Sequence, residues 1–422
     1  MSKTIIIIGA GLAGLSAALQ AAENGCNVKL VSSLPSERAQ SVMAEGGINA
    51  ALNTKDENDS PEEHFTDTIK AACGLADPNA VWGMTQAAPE LVHWLLKLGV
   101  KFNMSGYDDV DLRNFGGQKK KRTAFAQSDT GKQIMTAMID AVRRKEASGM
   151  VERFSHHSFL TLRLCGNICC GCVIRDEYSQ ETVELPGDAV IVATGGMHGL
   201  FGNTTGSLSN TGEVTAELFR LGVPLANGEM IQYHPTTVKC GGKRMLISEA
   251  ARGEGGRLFA MKDGKQWYFM EEKYPELGNL MPRDITAREI WKVSHESEVF
   301  LDMTEISEEI ISNKLSGLAD DCMTYLHKDI RKEPVSVLPG IHYFMGGILV
   351  DEQHRTPIQN LCAAGECCAQ YHGANRLGGN SLLGALYGGR VAAKSACEQA
   401  DVVDLSCATQ IDFPPASQIS EI

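Results

Sequence analysis

The chain opens with an unbroken apolar run, then a group of small residues, then a second apolar run. The four isoleucines at positions 5–8 are typical of a parallel strand that is buried on both faces. An alanine-rich stretch follows and predicts a helix that ends near Gly25, and NVKLV begins another strand at Asn27. The pattern therefore predicts strand, turn, helix and strand.

Two later apolar runs also end in glycines. Residues 189–193 predict a buried strand that leads into Thr194 and Gly195, and a short strand near position 361 ends at Gly365 and Glu366, before a helix that starts near Ser381. Glycine lets a backbone approach a ligand closely. Each run alone is better explained as a tight turn, but together the three could converge on one extended cofactor.

The first turn carries the dinucleotide-binding pattern of glycines in its required context. Gly9, Gly11 and Gly14 stand between a strand and a helix, where they permit the turn, the approach of a pyrophosphate and close helix–strand packing. The helix N-terminus supplies amide donors for phosphates. No acid ends the second strand. Ser32 stands there instead, and its hydroxyl can bind a ribose, but the usual carboxylate argument for NAD does not apply.

The middle of the chain reads as a second domain inserted into the first. It contains the glycine turn RGEGGRLF, the hairpin-like MKDGKQWYF, and helical patterns around Arg283–Val293 and 308–318. The fold class is predicted to be α/β with an α+β insertion: a Rossmann-like domain with an inserted capping domain. Its predicted parts are 1–234 (first domain), 235–344 (cap), 345–400 (first domain again) and 401–422 (a tail).

Charge and composition exclude several functions. The net charge of −13 would repel nucleic acid and anionic membranes, and the longest apolar runs are too short to span a bilayer. No signal peptide is visible. Thirteen cysteines without a secreted spacing pattern suit a reducing cytoplasm. The basic run at 119–122 is interpreted as a solvated loop.

Four cysteines cluster in LCGNICCGCVI. Cys169 and Cys172 form a C-x-x-C pair that could bind a metal or act in redox chemistry. The alternative is that the cysteines fill apolar positions of a hairpin strand before a turn at 176–180. No second pair lies nearby, so we favour the hairpin and predict no metal site.

Several short motifs carry cations and acids next to glycines. Each of these residues alone is better explained structurally, but together they flank the junctions between the two predicted domains, where ligand clefts concentrate. Three arginines and two histidines in one cleft suit a small dianion such as a dicarboxylate, since arginine binds carboxylates in a bidentate manner. The residues are His234, Ser248, Glu249, Arg252, Arg283, His342 and Arg376.

The complete set of motifs resembles the flavoprotein subunits of the succinate dehydrogenase/fumarate reductase family, to which L-aspartate oxidase also belongs. The matching runs are IIIIGAGLAGLSAAL, MAEGGINAAL, FGGQ with RTAFAQSDTG, VIVATGG, MIQYHPT, SEAARGEGG, PRD, HYFMGGI, and AAGE with HGANRLGGNSLL, in the family's order. The resemblance implies an FAD-dependent enzyme. The residues expected to contact FAD are Gly9, Gly11, Ala13, Gly14, Ser32, Gly46, Gly47, Thr194, Gly195, Glu213, Glu366, Ser381 and Leu382.

The resemblance also implies roles in the charged cluster. His234, Ser248, His342 and Arg376 would hold the substrate carboxylates. Arg283 would be the acid/base group, with Glu249 and Arg252 relaying protons to it. The expected reaction is fumarate reduction or succinate oxidation; L-aspartate oxidation is the alternative. A silent flavin-binding scaffold is a third hypothesis, against which the intact set of charged residues argues.

The sequence departs from the family at three places. Gln40 replaces the histidine that is joined covalently to the flavin in respiratory members and is associated with a higher flavin potential, so non-covalent FAD and faster fumarate reduction are expected. Glu213 replaces an aspartate. The given residues do not include the family's long C-terminal helical domain; either the chain is shortened or a second polypeptide would supply that part, so docking to an iron–sulfur subunit or other electron-donor protein stays open. The expected location is the cytoplasm, or the inner membrane face through such a partner.

Overall fold

The computed structural model describes residues 2–106 and 109–399. The helices within these ranges are α1 (Leu12–Glu23), α2 (Pro61–Ala71), α3 (Pro78–Leu98), α4 (Thr130–Ala147), α5 (Glu213–Arg220), α6 (Glu249–Gly253), α7 (Phe269–Lys273), α8 (Arg283–Val293), α9 (Glu308–Lys314), α10 (Ser316–Asp321) and α11 (Asn380–Gln399). The strands are β1 (Thr4–Ile8), β2 (Asn27–Ser32), β3 (Ile48–Asn49), β4 (Leu112–Arg113), β5 (Thr123–Ala124), β6 (Val151–Ser155), β7 (His157–Cys165), β8 (Ile168–Asp176), β9 (Thr182–Pro186), β10 (Ala189–Val192), β11 (Leu225–Ala226), β12 (Ile231–Cys240), β13 (Lys243–Leu246), β14 (Arg257–Lys262), β15 (Lys265–Trp267), β16 (Val299–Asp302), β17 (Val335–Ser336), β18 (Leu338–Phe344), β19 (Gly347–Leu349), β20 (Leu361–Ala363) and β21 (Cys368–Ala369).

The centre of the fold is a parallel sheet in the order β20-β10-β1-β2-β6. Ile5 pairs with Val28 on one side and with Ala189 on the other. Ile5 and Ile7 pack into the core formed with α1, α4 and α11, whereas Ile6 and Ile8 pack into a second core on the opposite face. The predicted strand buried on both faces is confirmed, and so are the helix after it and the later strands β10 and β20.

The opposite face of this sheet is covered by the antiparallel sheet β7-β8-β9. Cys169 and Cys172 of β8 are fully buried there, and burial raises the pKa of the Cys169 thiol to about 12. The backbone amides of Tyr178 and Ser179 donate to the Asp176 carboxylate at the turn that follows. The predicted hairpin strand is confirmed, and no metal-binding group of three or more His, Cys, Asp or Glu side chains occurs among the described residues.

The segment 235–344 contributes the sheets β13-β12-β18 and β15-β14-β16-β17 with α6 to α10. The predicted hairpin is β14–β15, and α8 has the predicted bounds. The helical pattern predicted around 308–318 is confirmed, but it is divided into α9 and α10 by a break at Leu315, which has φ −128° and ψ 14° and buries its side chain in the core of this region. The domain boundaries stay predictions, and the predicted tail at 401–422 lies outside the described residues.

The basic run at 119–122 is only partly a solvated loop. Lys119 and Lys121 are exposed as expected. Arg122 is fully buried, and its guanidinium lies 2.8 Å from the Asp59 carboxylate and 3.0 Å from that of Asp67. The prediction is wrong for Arg122 because two acids, before and within α2, compensate its charge inside the protein. Among the described helices, none is long and apolar enough to cross a membrane.

Candidate active site

The turn between β1 and α1 packs its backbone against neighbouring backbone without side chains in between. Gly9 has φ +111°, and a Cβ there would lie 2.2 Å from the carbonyl oxygen of Ala193 at the end of β10. A Cβ on Gly14 would lie 1.8 Å from the Gly9 oxygen. Helix α1 starts without a side-chain cap and without an acid in its first turn, so its amides and dipole remain available to an anionic phosphate.

The ends of β1, β2, β10 and β20 open into one cavity of about 580 Å³. We call its glycine-rich part the cradle, defined by the residues predicted to contact FAD: Gly9, Gly11, Ala13, Ser32, Gly46, Gly47, Thr194, Gly195, Glu213, Glu366, Ser381 and Leu382, all of which line the cavity. Gly14 does not line it and packs beneath the turn instead. The Ser32 hydroxyl is buried without a hydrogen-bond partner among the described residues. An orphaned hydroxyl at this position fits an FAD ribose.

One wall of the cradle contains Gln40, in a short 3-10 turn, Gln40–Met43. Its side-chain amide offers no nucleophilic nitrogen to a flavin. Glu45 follows this turn, and burial, with Asp321 and Asp129 adding to it, raises the pKa of its carboxyl to about 8. The carboxyl is therefore mostly protonated at neutral pH, and the cradle carries little charge at this wall.

The other part of the same cavity, which we call the charged cleft, is lined by His234, Ser248, Glu249, Arg283, His342 and Arg376. Arg283 is the first residue of α8. Its Nε and Nη2 atoms lie 2.8 and 2.7 Å from Oε2 of Glu249, and Nη1 donates to Oε1 of Gln232 at 3.0 Å. Three contacts therefore fix the orientation of the guanidinium.

Glu249 links Arg283 to a second arginine. Nη2 of Arg252 lies 3.4 Å from Oε1 of Glu249, which also accepts from the amide of Gly116 at 3.0 Å. Burial acts to raise the pKa of Glu249, but Arg283 and Arg252 outweigh it and hold the pKa at about 2. The carboxylate therefore stays ionised. Arg252 lies behind it and does not line the cavity.

His234 and His342 stand edge to face, with their ring centroids 5.0 Å apart. Nδ1 of His342 lies 2.8 Å from the Thr205 hydroxyl, and Nδ1 of His234 lies 3.1 Å from the Thr236 carbonyl oxygen. Burial, together with Arg283, lowers the pKa of His234 well below its usual value, and burial with the neighbouring His234 does the same for His342. Both rings are neutral at pH 7.

Arg376 is a buried cation without an acidic partner among the described residues. It is 2% exposed, its guanidinium lies 4.4 Å from the Tyr343 ring centroid, and its Nε atom has no hydrogen-bond partner. Burial lowers its pKa to about 9, so it stays charged at neutral pH. A buried, uncompensated cation is costly, and an anionic ligand would remove that cost.

The structure adds residues that the sequence interpretation missed. Gln232 bridges the cleft, since its Nε2 atom donates to the Arg376 carbonyl oxygen at 2.7 Å while its Oε1 accepts from Arg283. His198 lies 3.1 Å from Oε1 of Glu366, which also accepts from the Phe344 amide at 3.0 Å. Gln232 could have been found, because side chains two apart on a strand share a face and His234 follows it on β12. No local pattern marks His198.

Comparison with known proteins shows the family to which this chain is similar. A family model described as an FAD binding domain matches residues 4–382. The chain is 44% identical over 413 residues to the succinate dehydrogenase flavoprotein subunit of Bacillus subtilis, covering 96% of this chain and 70% of the relative. It is 34% identical over 425 residues to the 8-methylmenaquinol:fumarate reductase flavoprotein subunit of Wolinella succinogenes, covering 97% and 68%. A solved structure of a variant of FrdA from E. coli quinol fumarate reductase superposes with a TM-score of 0.89 at 30% identity, covering 100% of this chain and 73% of that one.

Proposed function

The chain belongs to the succinate dehydrogenase/fumarate reductase flavoprotein family and is an FAD-dependent oxidoreductase, and from this premise we propose that it interconverts fumarate and succinate, with fumarate reduction the faster direction. The observation that carries the proposal is the charged cleft: the unpaired Arg376 and two neutral histidines share one cavity with the fixed Arg283–Glu249 pair. Arg376 and the two histidines can bind carboxylates, while Arg283 and Glu249 can transfer a proton.

The unpaired cation is the anchor for the substrate. Arg376 offers guanidinium donors that no described acid occupies, and carboxylates bind such a fork in a bidentate manner. The rings of His234 and His342 and the hydroxyl of Ser248 supply further polar contacts in the same cavity. Cations held in place before the reaction stabilise the negative charge that develops next to a substrate carboxylate.

Arg283 is the proposed proton donor. FAD, when bound, supplies the hydride for the reduction, and a proton is still required at the second alkene carbon. A guanidinium is ordinarily a very weak acid, but the substrate carbanion is a far stronger base than water. The ionised Glu249 and the buried Arg252 connect Arg283 to the backbone carbonyl of Asn279, which accepts from Arg252 at 2.6 Å. We propose that a proton taken up from water returns to Arg283 through Arg252 and Glu249, and that the Asn279 carbonyl, which can only accept, holds Arg252 in place.

L-Aspartate is disfavoured as the substrate by the state of the acids in the cavity, of which Glu213 belongs to the cradle and Asp321 acts on Glu45. An amino-dicarboxylate needs an acceptor for its ammonium group. Glu249 is already paired with two arginines, and Glu366 already accepts from His198 and the Phe344 amide. Burial holds Glu45 mostly protonated at neutral pH. The cleft therefore suits a dicarboxylate without an ammonium group.

We further propose that FAD is bound without a covalent bond, because Gln40 offers no reactive nitrogen, and that a separate electron-donor protein reduces it. The relatives named above are subunits of larger enzymes, two of them named as reductases that use a quinol. A partner of this kind would place the chain at the cytoplasmic face of a membrane.

The test is anaerobic. Dithionite-reduced protein, freed of excess dithionite, should be reoxidised on mixing with fumarate, as followed by the return of flavin absorbance. Oxidised protein should be bleached more slowly by succinate and not by L-aspartate. Acid precipitation should release all of the yellow colour into the supernatant. Bleaching by aspartate with no response to fumarate would refute the proposal, and colour in the pellet would refute non-covalent binding.

A further inference from the structure

A fourth arginine borders the charged cleft. Arg244 of β13 lines the same cavity as His234 and Arg376 and is 8% exposed. It forms no ion pair with any described acid. It also borders a second cavity of about 640 Å³, next to Tyr233 and Trp291, so the side chain stands in the wall that separates the two.

Neutral acceptors hold this side chain in place. Nη2 of Arg244 donates to the carbonyl oxygens of Thr237 and Leu338 at 3.2 and 3.4 Å, and Nε donates to the Thr237 hydroxyl. Nη1 makes no hydrogen bond to any described residue. The aliphatic part of the Arg244 side chain passes over Gly340, where a Cβ would lie 2.5 Å from Cδ of Arg244. Gly340 in turn pairs with His234 between β18 and β12.

The backbone of Arg244 is tied to the histidine end of the cleft. Its amide donates to the carbonyl oxygen of Thr204 at 2.9 Å, and the hydroxyl of the next residue, Thr205, lies 2.8 Å from Nδ1 of His342. The charge of Arg244 is therefore fixed relative to the residues proposed to bind substrate. Within the described part of the chain, its Nη1 atom makes no hydrogen bond and no acid forms an ion pair with it.

We infer that Arg244 is a specificity-determining residue, whose fixed positive charge favours dianionic dicarboxylates and disfavours ligands that carry an ammonium group. This inference rests on the proposed function, because it assigns a further cation to the same cleft. A cation near the ligand, in a poorly screened interior, acts on every ligand charge, so its removal should weaken dianions most and L-aspartate least.

The test compares Arg244→Gln with Lys239→Gln. Lys239 pairs with Arg244 across the hairpin but is exposed and does not line the cavity, so it is a matched control for net charge. The probe is malonate, titrated into oxidised, FAD-loaded protein and followed by the flavin difference spectrum, which needs no turnover. Arg244→Gln should weaken malonate binding by about tenfold or more, as expected for the loss of a charged contact, and Lys239→Gln should not change it.

Turnover then separates this inference from the proposed function. In Arg244→Gln the KM for fumarate should rise with kcat nearly unchanged, the preference for malonate over L-aspartate should fall, and Arg244→Lys should restore part of both. Equal effects in Arg244→Gln and Lys239→Gln, unchanged malonate binding, or unfolding of both Arg244 variants would overturn the inference. If the wild-type protein binds malonate but fumarate does not reoxidise its reduced form, the proposed function alone is refuted. The comparison of malonate binding between the variants would still decide the role of Arg244.

Discussion

The cradle and the charged cleft share one cavity but differ in the kinds of residue that line them. Half of the cradle residues are glycine or alanine, and the Glu45 carboxyl beside it is mostly protonated at neutral pH. The cleft and its border hold four arginines, Arg244, Arg252, Arg283 and Arg376, each at most 8% exposed, around the single ionised Glu249. FAD binding in the cradle should therefore depend on space that no side chain fills, and dicarboxylate binding in the cleft on uncompensated charge. Adding atoms at the cradle should weaken FAD binding, and removing charge from the cleft should weaken dicarboxylate binding.

The largest effect is expected from one methyl group beneath the cradle, at Gly14, which packs under the turn between β1 and α1. Gly14→Ala would place a Cβ 1.8 Å from the Gly9 oxygen, and close-packed backbone cannot yield enough to relieve such a contact. The purified variant should contain almost no FAD, as measured by absorbance at a fixed protein concentration. Gly202→Ala is the control, because a Cβ there meets nothing within 4 Å. A Gly14→Ala variant with full FAD content would mean that FAD binding does not depend on the close backbone packing at Gly14.

The next effect is the loss of an unpaired charge from the cleft. Arg376→Ala should weaken dicarboxylate binding by about 2–5 kcal/mol, as for other buried charges that pair with a ligand, while the flavin spectrum stays normal. The comparison is Arg257→Ala, which removes a partly exposed arginine already paired with Glu271 and should leave dicarboxylate binding unchanged. Normal fumarate binding by the Arg376 variant would remove the cleft from the proposal.

Arg283→Lys keeps the positive charge but removes the planar guanidinium group. A single ammonium cannot reproduce the contacts of Nε, Nη1 and Nη2 with Glu249 and Gln232, so the proton donor would be misplaced. The kcat for fumarate reduction should fall by at least about a hundredfold, as for the loss of a positioned acid, with a smaller change in KM. If the variant turned over near-normally at saturating fumarate, Arg283 would be a carboxylate ligand only.

The smallest effect should come from a polar side chain of the cradle. Ser32→Ala removes the one cradle hydroxyl that is buried without a partner. Because a neutral hydrogen bond contributes only about 1 kcal/mol, the dissociation constant of FAD should rise by less than about tenfold. Ser148→Ala, at an exposed serine that does not line the cavity, serves as the control. A loss as large as that of Arg376→Ala would show that the cradle, too, depends on single polar contacts.

The sequence predicted the cradle better than the cleft, for a physical reason. Gly9, Gly11 and Gly14 act within one turn, so their spacing alone carries the signal. The pairing of Arg283 with Glu249 joins positions 34 residues apart, and only the full set of family motifs suggested it. Arg122 and Arg244 escaped prediction because their environment is set by tertiary contacts: buried acids for Arg122, and neutral carbonyls for Arg244. The break at Leu315 has the same origin, since core packing overrode the helical pattern.

The position of β20 and α11 in the central sheet has a consequence for the order of synthesis. β20 completes the edge beside β10, and α11 packs on α1 while bringing Ser381 and Leu382 to the cavity. Both are translated after the whole of 235–344. The segment 235–344 is therefore synthesised before the central sheet has β20 and before the cavity has α11. FAD binding should require residues 361–399. A purified, released chain that ends at residue 360 should accordingly retain no FAD.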